Sequence, residues 1–294
     1  MAVKSRDGSF ALRWLLEDLP GEFLPEEPLA PYTTFRIGGP AWGLFFPHTV
    51  EALVEALRRA RAEGIPHRLI GGGAKVLFPD QGFPGLVVHT GRLRRAWETE
   101  EGLWVEPGFP MSGLVRRGLW VLAGVPGSAG GAVVMNAGTR YGSISSYVTA
   151  VETLLPDGSR AFLSPAECGF SYRHSIFREK RLPVLVVGLR LPEEVRSVED
   201  LLAERRRTQP LDRPSAGCVF RNPAGVSAGW LIDKAGLKGE RIGDAQVSEK
   251  HANFIVNMGR ARAAHVLALI ERVQAGVERT FGITLALELE VVSP

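Results

Sequence analysis

The chain has 294 residues, of which 45% are hydrophobic and 23% charged, as in an ordinary soluble globular protein with a large core. Its formal net charge of +3 is too small to indicate nucleic-acid binding. The cysteines, Cys168 and Cys218, fit neither a metal-ligand spacing nor a disulfide framework, and no apolar run approaches the ~20 residues of a membrane span, so we expect no metal, no membrane insertion and a cytoplasmic location.

Helices and strands are predicted in mixed order along the first two thirds of the chain. Thr49 caps a helix whose apolar residues recur at helical spacing and which ends at Gly64. A short strand then leads into Gly71–Gly73, and this order of helix, strand and loop differs from the dinucleotide-binding fingerprint. The strand that precedes Gly71 is predicted at 67–70. Further along the chain we predict strands at 86–89 and 103–106, a helix at 111–122, a hairpin of 148–155 with 160–163, and a buried strand at 183–191.

A second region begins around a helix that Ser197 opens and that ends before the proline-rich stretch 210–214. The elements predicted after it are strands at 219–220, 253–257 and 283–292 and helices at 228–235 and 261–281. This pattern indicates a compact α+β module.

Two glycine-rich loops are the strongest sign of a ligand. One is Gly71–Gly73, and the other is the run 124–138, which contains five glycines and an asparagine. Because glycine has no Cβ, such loops bring backbone N–H groups close to a bound anion. The pair predicts a long, phosphate-bearing ligand that is held at two places.

Three further regions of the sequence carry side chains suited to catalysis. Arg173 could neutralise a carboxylate, and Tyr172 beside it could donate a hydrogen bond. Cys218 begins a predicted strand, although a single cysteine is more often an inert buried thiol. Glu288 and Glu290 share one face of the last predicted strand. If that face is on the water side, both are ordinary surface residues; if it lines a cleft, one carboxyl could be shielded enough to keep its proton and act as an acid.

Seven short blocks stand in a fixed order between about residue 31 and Glu288. They are 33–39, 71–73, 125–131, 172–173, 214–223, 236–239 and 247–253. This ordered set resembles the UDP-N-acetylenolpyruvoylglucosamine reductases, the MurB family, and the compact C-terminal half is similar to the shorter subtype, which lacks an inserted loop over the substrate.

The resemblance implies an α+β fold with a FAD-binding domain of the vanillyl-alcohol-oxidase type. Its two lobes are expected at 1–80 and 81–196, followed by a substrate domain at 197–294 whose last strand, 283–294, returns to the first lobe. Since neither glycine loop contains histidine or cysteine, we expect the FAD to be non-covalent. Lys75 stands where the family usually has asparagine and could pair with the pyrophosphate. The implied cofactor-binding residues are Gly71, Gly72, Gly73, Ala74, Lys75, Val76, Gly127, Ser128, Ala129, Gly130, Gly131, Asn136, Ala137 and Gly138.

The implied reaction belongs to peptidoglycan synthesis. NADPH reduces FAD, and the flavin then reduces the enolpyruvyl group of UDP-N-acetylglucosamine enolpyruvate, giving UDP-N-acetylmuramate. Arg173 matches the family's cation and Glu288 its glutamic acid, with Glu290 as the alternative. Cys218 replaces the common serine and is the expected proton donor, because a thiol of pKa ~8.5 is mostly protonated at neutral pH. The implied substrate contacts are Tyr172, Arg221 and Asn222.

Two other functions stay open. Another FAD-dependent oxidase or dehydrogenase of the same fold would share the glycine loops, but has no reason to carry the blocks 214–223 and 247–253. A flavin-free protein that binds nucleotide sugars would use the same loops for phosphate. As partners we expect a nucleotide sugar and no nucleic acid, and we expect a monomer or weak oligomer.

Overall fold

The computed structural model describes residues 5–194 and 196–293. By its internal contacts the chain forms two compact units, each assembled from separate parts of the sequence. The predicted lobes 1–80 and 81–196 and the predicted substrate domain 197–294 were assigned by the ligand that each would bind. Contacts within the chain do not test that assignment, and it stays a prediction. The first unit is drawn from Met1–Glu27, Ala41–Gly72 and Pro84–Leu202, and the second from Pro28–Pro40, Gly73–Phe83 and Ala203–Pro294.

Most of the predicted helices are confirmed. The Thr49 hydroxyl accepts from the N–H of Ala52, as a helix cap does. The helix predicted at 111–122 is wrong in its length, because Gly118 adopts a positive φ of 115° and the chain continues as a 3₁₀ turn. No described helix combines the length and the apolar character that a membrane crossing requires. The helices are α1 (Ser5–Leu16), α2 (Val50–Ala62), α3 (Met111–Arg116), α4 (Ala129–Val134), α5 (Ile176–Glu179), α6 (Val198–Thr208), α7 (Ala228–Lys234) and α8 (Ala263–Phe281).

The strands are mostly short. They are β1 (Gly21–Pro25), β2 (Ala41–Pro47), β3 (His67–Ile70), β4 (Val76–Leu77), β5 (Phe83–His89), β6 (Ala96–Thr99), β7 (Gly102–Val105), β8 (Gly138–Thr139), β9 (Gly142–Ser143), β10 (Val148–Leu154), β11 (Arg160–Leu163), β12 (Val184–Leu189), β13 (Ser215–Cys218), β14 (Arg241–Ile242), β15 (Ala245–Val247), β16 (Phe254–Asn257) and β17 (Glu290–Val291).

The first unit contains two main sheets, with strand orders β1-β2-β5-β3 and β11-β10-β12-β7-β6. The predicted hairpin is confirmed, since β10 and β11 pair antiparallel with Val151 opposite Leu163. The central strand β12 is buried along its whole length, which explains its uninterrupted apolar sequence. Each sheet contributes to an apolar core, one around Leu53 and Leu86 and the other around Val187.

The second unit is built on the antiparallel sheet β13-β16-β15-β14. Helices α7 and α8 share its apolar core, which includes Leu231 and Val273. Both carboxylate oxygens of Asp80 accept from the first turn of α8, at 2.8 Å from the N–H of Ala263 and 3.0 Å from that of Ala264. The stretch that follows β4 is thereby tied to the start of the long helix.

The strand predicted at 283–292 is wrong in its extent, and only β17 is regular there. The backbone groups of this segment do not all pair with one strand. The Ala286 carbonyl accepts from the N–H of Arg221, the Glu288 N–H donates to the Val219 carbonyl, and the Glu290 N–H donates to the Lys75 carbonyl. A chain that passes from one neighbour to the next forms no continuous ladder. β17 ends in a parallel pair with β4, where Glu290 lies opposite Val76.

Candidate active site

The two predicted glycine loops meet directly inside the first unit. A Cβ placed on Gly72 would lie 2.6 Å from the Cα of Gly127, and one placed on Gly71 would collide with the Ser128 hydroxyl. Two backbones can approach this closely only where side chains are absent. The loops that the sequence places more than fifty residues apart therefore form a single site.

Two buried hydroxyl groups lie at this junction. Ser128 Oγ and Thr90 Oγ1 belong to residues that are 4% and 2% exposed, and neither has a hydrogen-bond partner among residues 5–194 and 196–293. Both are the nearest polar side-chain atoms to a Cβ built on Gly71. Since buried hydroxyls are normally satisfied, their orientation fits a bound polar ligand such as the diphosphate of FAD. Sequence reasoning missed Thr90, because its position at the end of β5 carries no motif.

The remaining residues of the predicted cofactor loops divide between the two units. Ala129, Gly130 and Gly131 form the start of α4, and Gly130 packs closely against Pro107. In the second unit, Gly73 adopts a positive φ of 60° against the Tyr32 carbonyl, and Val76 lies in β4. The Ala74 carbonyl there accepts from the Thr34 hydroxyl. Cofactor contacts of these residues stay predictions.

Arg173 lies in the first unit, where the segment 136–138 holds it. Its guanidinium donates to the Gly138 carbonyl at 2.8 Å and to the Asn136 carbonyl at 3.5 Å. The Asn136 amide in turn donates to Ser171, and Arg173 itself has a positive φ of 54°. Asn136, Ala137 and Gly138, predicted to lie near the cofactor, thus belong to the segment that fixes the candidate cation.

Tyr172 is the exposed neighbour of that cation. Its side chain is 54% exposed, and the Arg173 guanidinium carbon lies 5.2 Å from the centre of its ring. An exposed phenol beside a held guanidinium is suited to meeting a ligand from solvent. Its predicted substrate contact stays a prediction.

Cys218 and Glu288 come together in the second unit. Glu288 is 5% exposed, and its N–H donates to the carbonyl of Val219, the residue after Cys218. The Lys75 ammonium joins them, because it donates to the Cys218 carbonyl and lies 2.9 Å from Glu288 Oε1. The structure therefore assembles two of the three predicted catalytic residues around a lysine that was predicted to contact the cofactor.

A second cation lies near the candidate proton donor. Burial lowers the pKa of Arg205, and the electrostatic interaction with Cys218 acts in the opposite direction. The Nε of Arg205 is buried without a hydrogen-bond partner in the described part of the chain, while its Nη2 donates to Gln209. Cys218 itself is partly exposed, so its thiol lies at the edge of the core.

Burial separates the two candidate acids. Glu290 is exposed, whereas Glu288 is buried, although the i, i+2 spacing predicts that they share one face. The spacing rule assumes a regular strand, and the backbone changes partner between these residues. Burial supports Glu288 as the candidate acid.

The other predicted substrate residues have local partners. Arg221 Nε donates to the Leu287 carbonyl, and Asn222 accepts from the N–H of Ala228 at the start of α7. These bonds fix the segment that follows Cys218. Substrate contacts of Arg221 and Asn222 stay predictions.

A cavity of about 600 Å³ lies in the second unit, and sequence reasoning did not identify it. Three cationic side chains line it, Arg206, Arg213 and Lys250, together with the acidic Asp212 and Glu249. Three of its lining residues, Ser248, Glu249 and Lys250, belong to the block 247–253 that the sequence analysis singled out. Such a lining is suited to an anionic ligand.

Two family models match this chain. The model of the FAD binding domain matches residues 42–164, and that of the UDP-N-acetylenolpyruvoylglucosamine reductase C-terminal domain matches residues 209–292. The reductase of Moorella thermoacetica is 43% identical over 281 residues, covering 92% of this chain and 93% of that protein. The chain belongs to this reductase family.

Other members are similar over the same span. The reductase of Heliobacterium modesticaldum is 42% identical over 294 residues, covering 95% of this chain and 93% of its own length. The crystal structure of the reductase from Thermus caldophilus matches with a TM-score of 0.76 and 39% identity, over 94% of this chain and all of that one. The predicted α+β class with a FAD-binding domain is thereby confirmed.

Proposed function

We propose that this protein is a FAD-dependent reductase that uses NADPH to convert UDP-N-acetylglucosamine enolpyruvate into UDP-N-acetylmuramate for peptidoglycan synthesis. The observation that carries the proposal is the presence, in one chain, of the FAD-binding domain and the C-terminal domain of these reductases. An oxidase of the same fold would need only the first of them.

The residues at the junction of the glycine loops fit FAD. Backbone N–H groups near Gly71, Gly72 and Gly127 would approach its diphosphate, and the Ser128 and Thr90 hydroxyls would satisfy their hydrogen bonds on it. When bound, FAD supplies the redox chemistry by accepting hydride from NADPH and passing it to the substrate. The protein's own residues bind both molecules, stabilise the charge that develops on the substrate and supply the proton.

Arg173 is proposed to meet the carboxylate of the enolpyruvyl group. Negative charge develops beside that carboxylate when hydride adds to the vinyl carbon, so a fixed cation lowers the barrier. The carbonyls of Gly138 and Asn136 hold the guanidinium in place before the substrate arrives. A cation that is already oriented costs little reorganisation during the reaction.

Cys218 is proposed to complete the reduction. Its Sγ–H bond breaks as the proton moves to the carbon next to the substrate carboxylate, and the resulting thiolate regains a proton from solvent. A thiol is a stronger acid than the serine hydroxyl that is common at this position. Glu288, which is buried and whose Oε1 lies 2.9 Å from the Lys75 Nζ, is proposed to be the catalytic carboxyl group of this site.

The nucleotide part of the substrate is proposed to use the second unit's cavity. The cations Arg206, Arg213 and Lys250 suit its diphosphate. A cytoplasmic location and a monomeric or weakly associating state complete the proposal. Tyr172, Arg221 and Asn222 remain the proposed contacts near the reacting group.

The deciding experiment is anaerobic NADPH oxidation with and without the enolpyruvyl nucleotide sugar. We expect a yellow protein whose flavin is reduced by NADPH and reoxidised only when the sugar is added. Reduction of the flavin by an alcohol or hydroxy acid, with no reoxidation by the sugar, would indicate the oxidase. A colourless protein that takes up no FAD but retains the sugar would indicate the binding protein.

A further inference from the structure

Lys75 occupies a central place in the second unit. Its ammonium donates to the main-chain carbonyl of Cys218 and to the carboxylate of Glu288. Its own carbonyl accepts from the N–H of Glu290, at 2.9 Å. One residue therefore binds both candidate catalytic residues and the strand that carries one of them.

The backbone leaves room for this lysine. Gly217 adopts a positive φ of 69°, and a Cβ there would lie 3.4 Å from the Lys75 Nζ. A side chain at this position would crowd the ammonium as well as strain the turn. The parallel pairing of β4 with β17 fixes the backbone next to Lys75, and the lysine side chain extends from there to the Cys218 carbonyl.

The pair of Lys75 and Glu288 differs from surface ion pairs. The side chains are 24% and 7% exposed, and the two charged atoms are 2.9 Å apart. Water screens such a pair little, and removing the cation would take an ionic partner from a buried carboxylate. The carboxylate would then move or change its hydrogen bonds, and Cys218 would lose a main-chain anchor at the same time.

We propose that Lys75 is a positioning residue for the second half-reaction, in which its ammonium holds Glu288 and Cys218 in one arrangement. The inference rests on the proposed function. It assigns to Lys75 a role apart from the cofactor, which the resemblance had suggested. Misplacement of a reacting group by about 1 Å costs on the order of 100-fold in rate.

The test compares Lys75→Met with Lys75→Arg in the FAD-loaded enzyme. Flavin reduction by NADPH and flavin reoxidation by the enolpyruvyl nucleotide sugar are followed separately by anaerobic stopped-flow absorbance. We expect Lys75→Met to slow reoxidation by roughly 10- to 100-fold, with reduction unchanged, and Lys75→Arg to recover most of the rate. The affinity of the apoprotein for FAD should stay within about threefold, since a positioning residue does not bind the cofactor.

Two further variants separate positioning from general weakening. Arg160→Met is the matched control, because Arg160 pairs at 2.8 Å with the buried Glu152 on the β10–β11 hairpin and should leave reoxidation unchanged. In the Glu288→Gln background, Lys75→Met should cost less than in the wild-type background, because one of the two partners of Lys75 is already altered. Should Lys75→Met not fold, Lys75→Gln takes its place; it keeps a donor for the Cys218 carbonyl but no charge for Glu288, so its loss of reoxidation rate should be smaller but still measurable.

Normal reoxidation by Lys75→Met would overturn the inference, and so would a primary loss of FAD affinity. Equal losses in Lys75→Arg, in Arg160→Met or in the Glu288→Gln background would overturn it as well. If the wild-type protein is not reoxidised by the sugar, the proposed function fails first, and the inference falls with it. If the wild-type enzyme turns over and Lys75→Met is fully active, only the inference about Lys75 is refuted.

Discussion

Acid should destabilise the first unit through His89, the last residue of β5. Burial, with a smaller contribution from the charge of Arg94, lowers the pKa of His89 to about 4 from 6.5. The neutral ring packs against Phe46 with a centroid distance of 4.9 Å, and its Nδ1 accepts from the N–H of Gly91 at 2.9 Å. The adjacent Thr90 carries one of the hydroxyls proposed to bind FAD.

The sign follows from proton binding. Between the two pKa values the unfolded chain holds a proton that the folded chain does not, so stability is complete above pH 6.5 and falls as the pH drops toward 4. Linkage with these two values gives a loss of about 2 kcal/mol between pH 7 and pH 5, and about 3 kcal/mol by pH 4. Below pH 4 this histidine contributes no further loss.

The measurement is guanidinium unfolding of the apoprotein by tryptophan fluorescence at pH 7, 6 and 5, for the wild type and His89→Asn. Asparagine keeps an acceptor for the N–H of Gly91 but does not titrate in this range. Any loss of stability that the substitution itself causes should be the same at each pH. Between pH 7 and pH 5, the free energy of unfolding of the variant should therefore fall by about 2 kcal/mol less than that of the wild type. Parallel pH curves for the two proteins would refute the reasoning.

Three further outcomes are expected. Cys218→Ser should keep substantial turnover, while Cys218→Ala should retain flavin reduction by NADPH and lose reoxidation by the sugar; normal turnover of the alanine variant would remove Cys218 as the proton donor. Gly72→Val should weaken FAD binding by roughly 10- to 100-fold in a fluorescence titration, since its Cβ would lie 2.6 Å from the Gly127 Cα, and unchanged affinity would exclude this loop as a cofactor site. Asp80→Ala should cost about 1 kcal/mol in the free energy of unfolding and Asp80→Asn about half of that, because alanine removes both acceptors at the start of α8 whereas asparagine keeps one; equal effects would contradict the capping role.

Periodicity and turn signals predict the parts of this fold that are locally determined. Thr49 and the apolar residues after it predict α2, and the turn at 156–158 predicts the hairpin. The last strand is beyond such reasoning, because its residues between 286 and 290 bind first the segment 219–221 and then Lys75. Helix α1 was likewise missed, since its short polar start gives little helical signal.

The candidate site was partly predictable for the same reason. The glycine loops and Cys218 stand in motifs that can be read from the sequence. The burial of Thr90 and the contacts of Lys75 could not be predicted, because they depend on tertiary structure: Lys75 contacts Cys218, 143 residues later. Glu288 and Glu290 were distinguishable only by tertiary burial.

The pairing of β17 with β4 has a consequence for biosynthesis. Lys75 leaves the ribosome early, whereas Glu288 and Glu290 are translated more than two hundred residues later. Because chains emerge from the N-terminus, the lysine must wait for these partners while the glycine loops of the first unit are already complete. A nascent chain can therefore acquire the loops that are proposed to hold the cofactor before it possesses the carboxyl group that is proposed to act in turnover. Ribosome-bound intermediates of this protein are expected to be catalytically silent until residues 286–291 have been released from the exit tunnel.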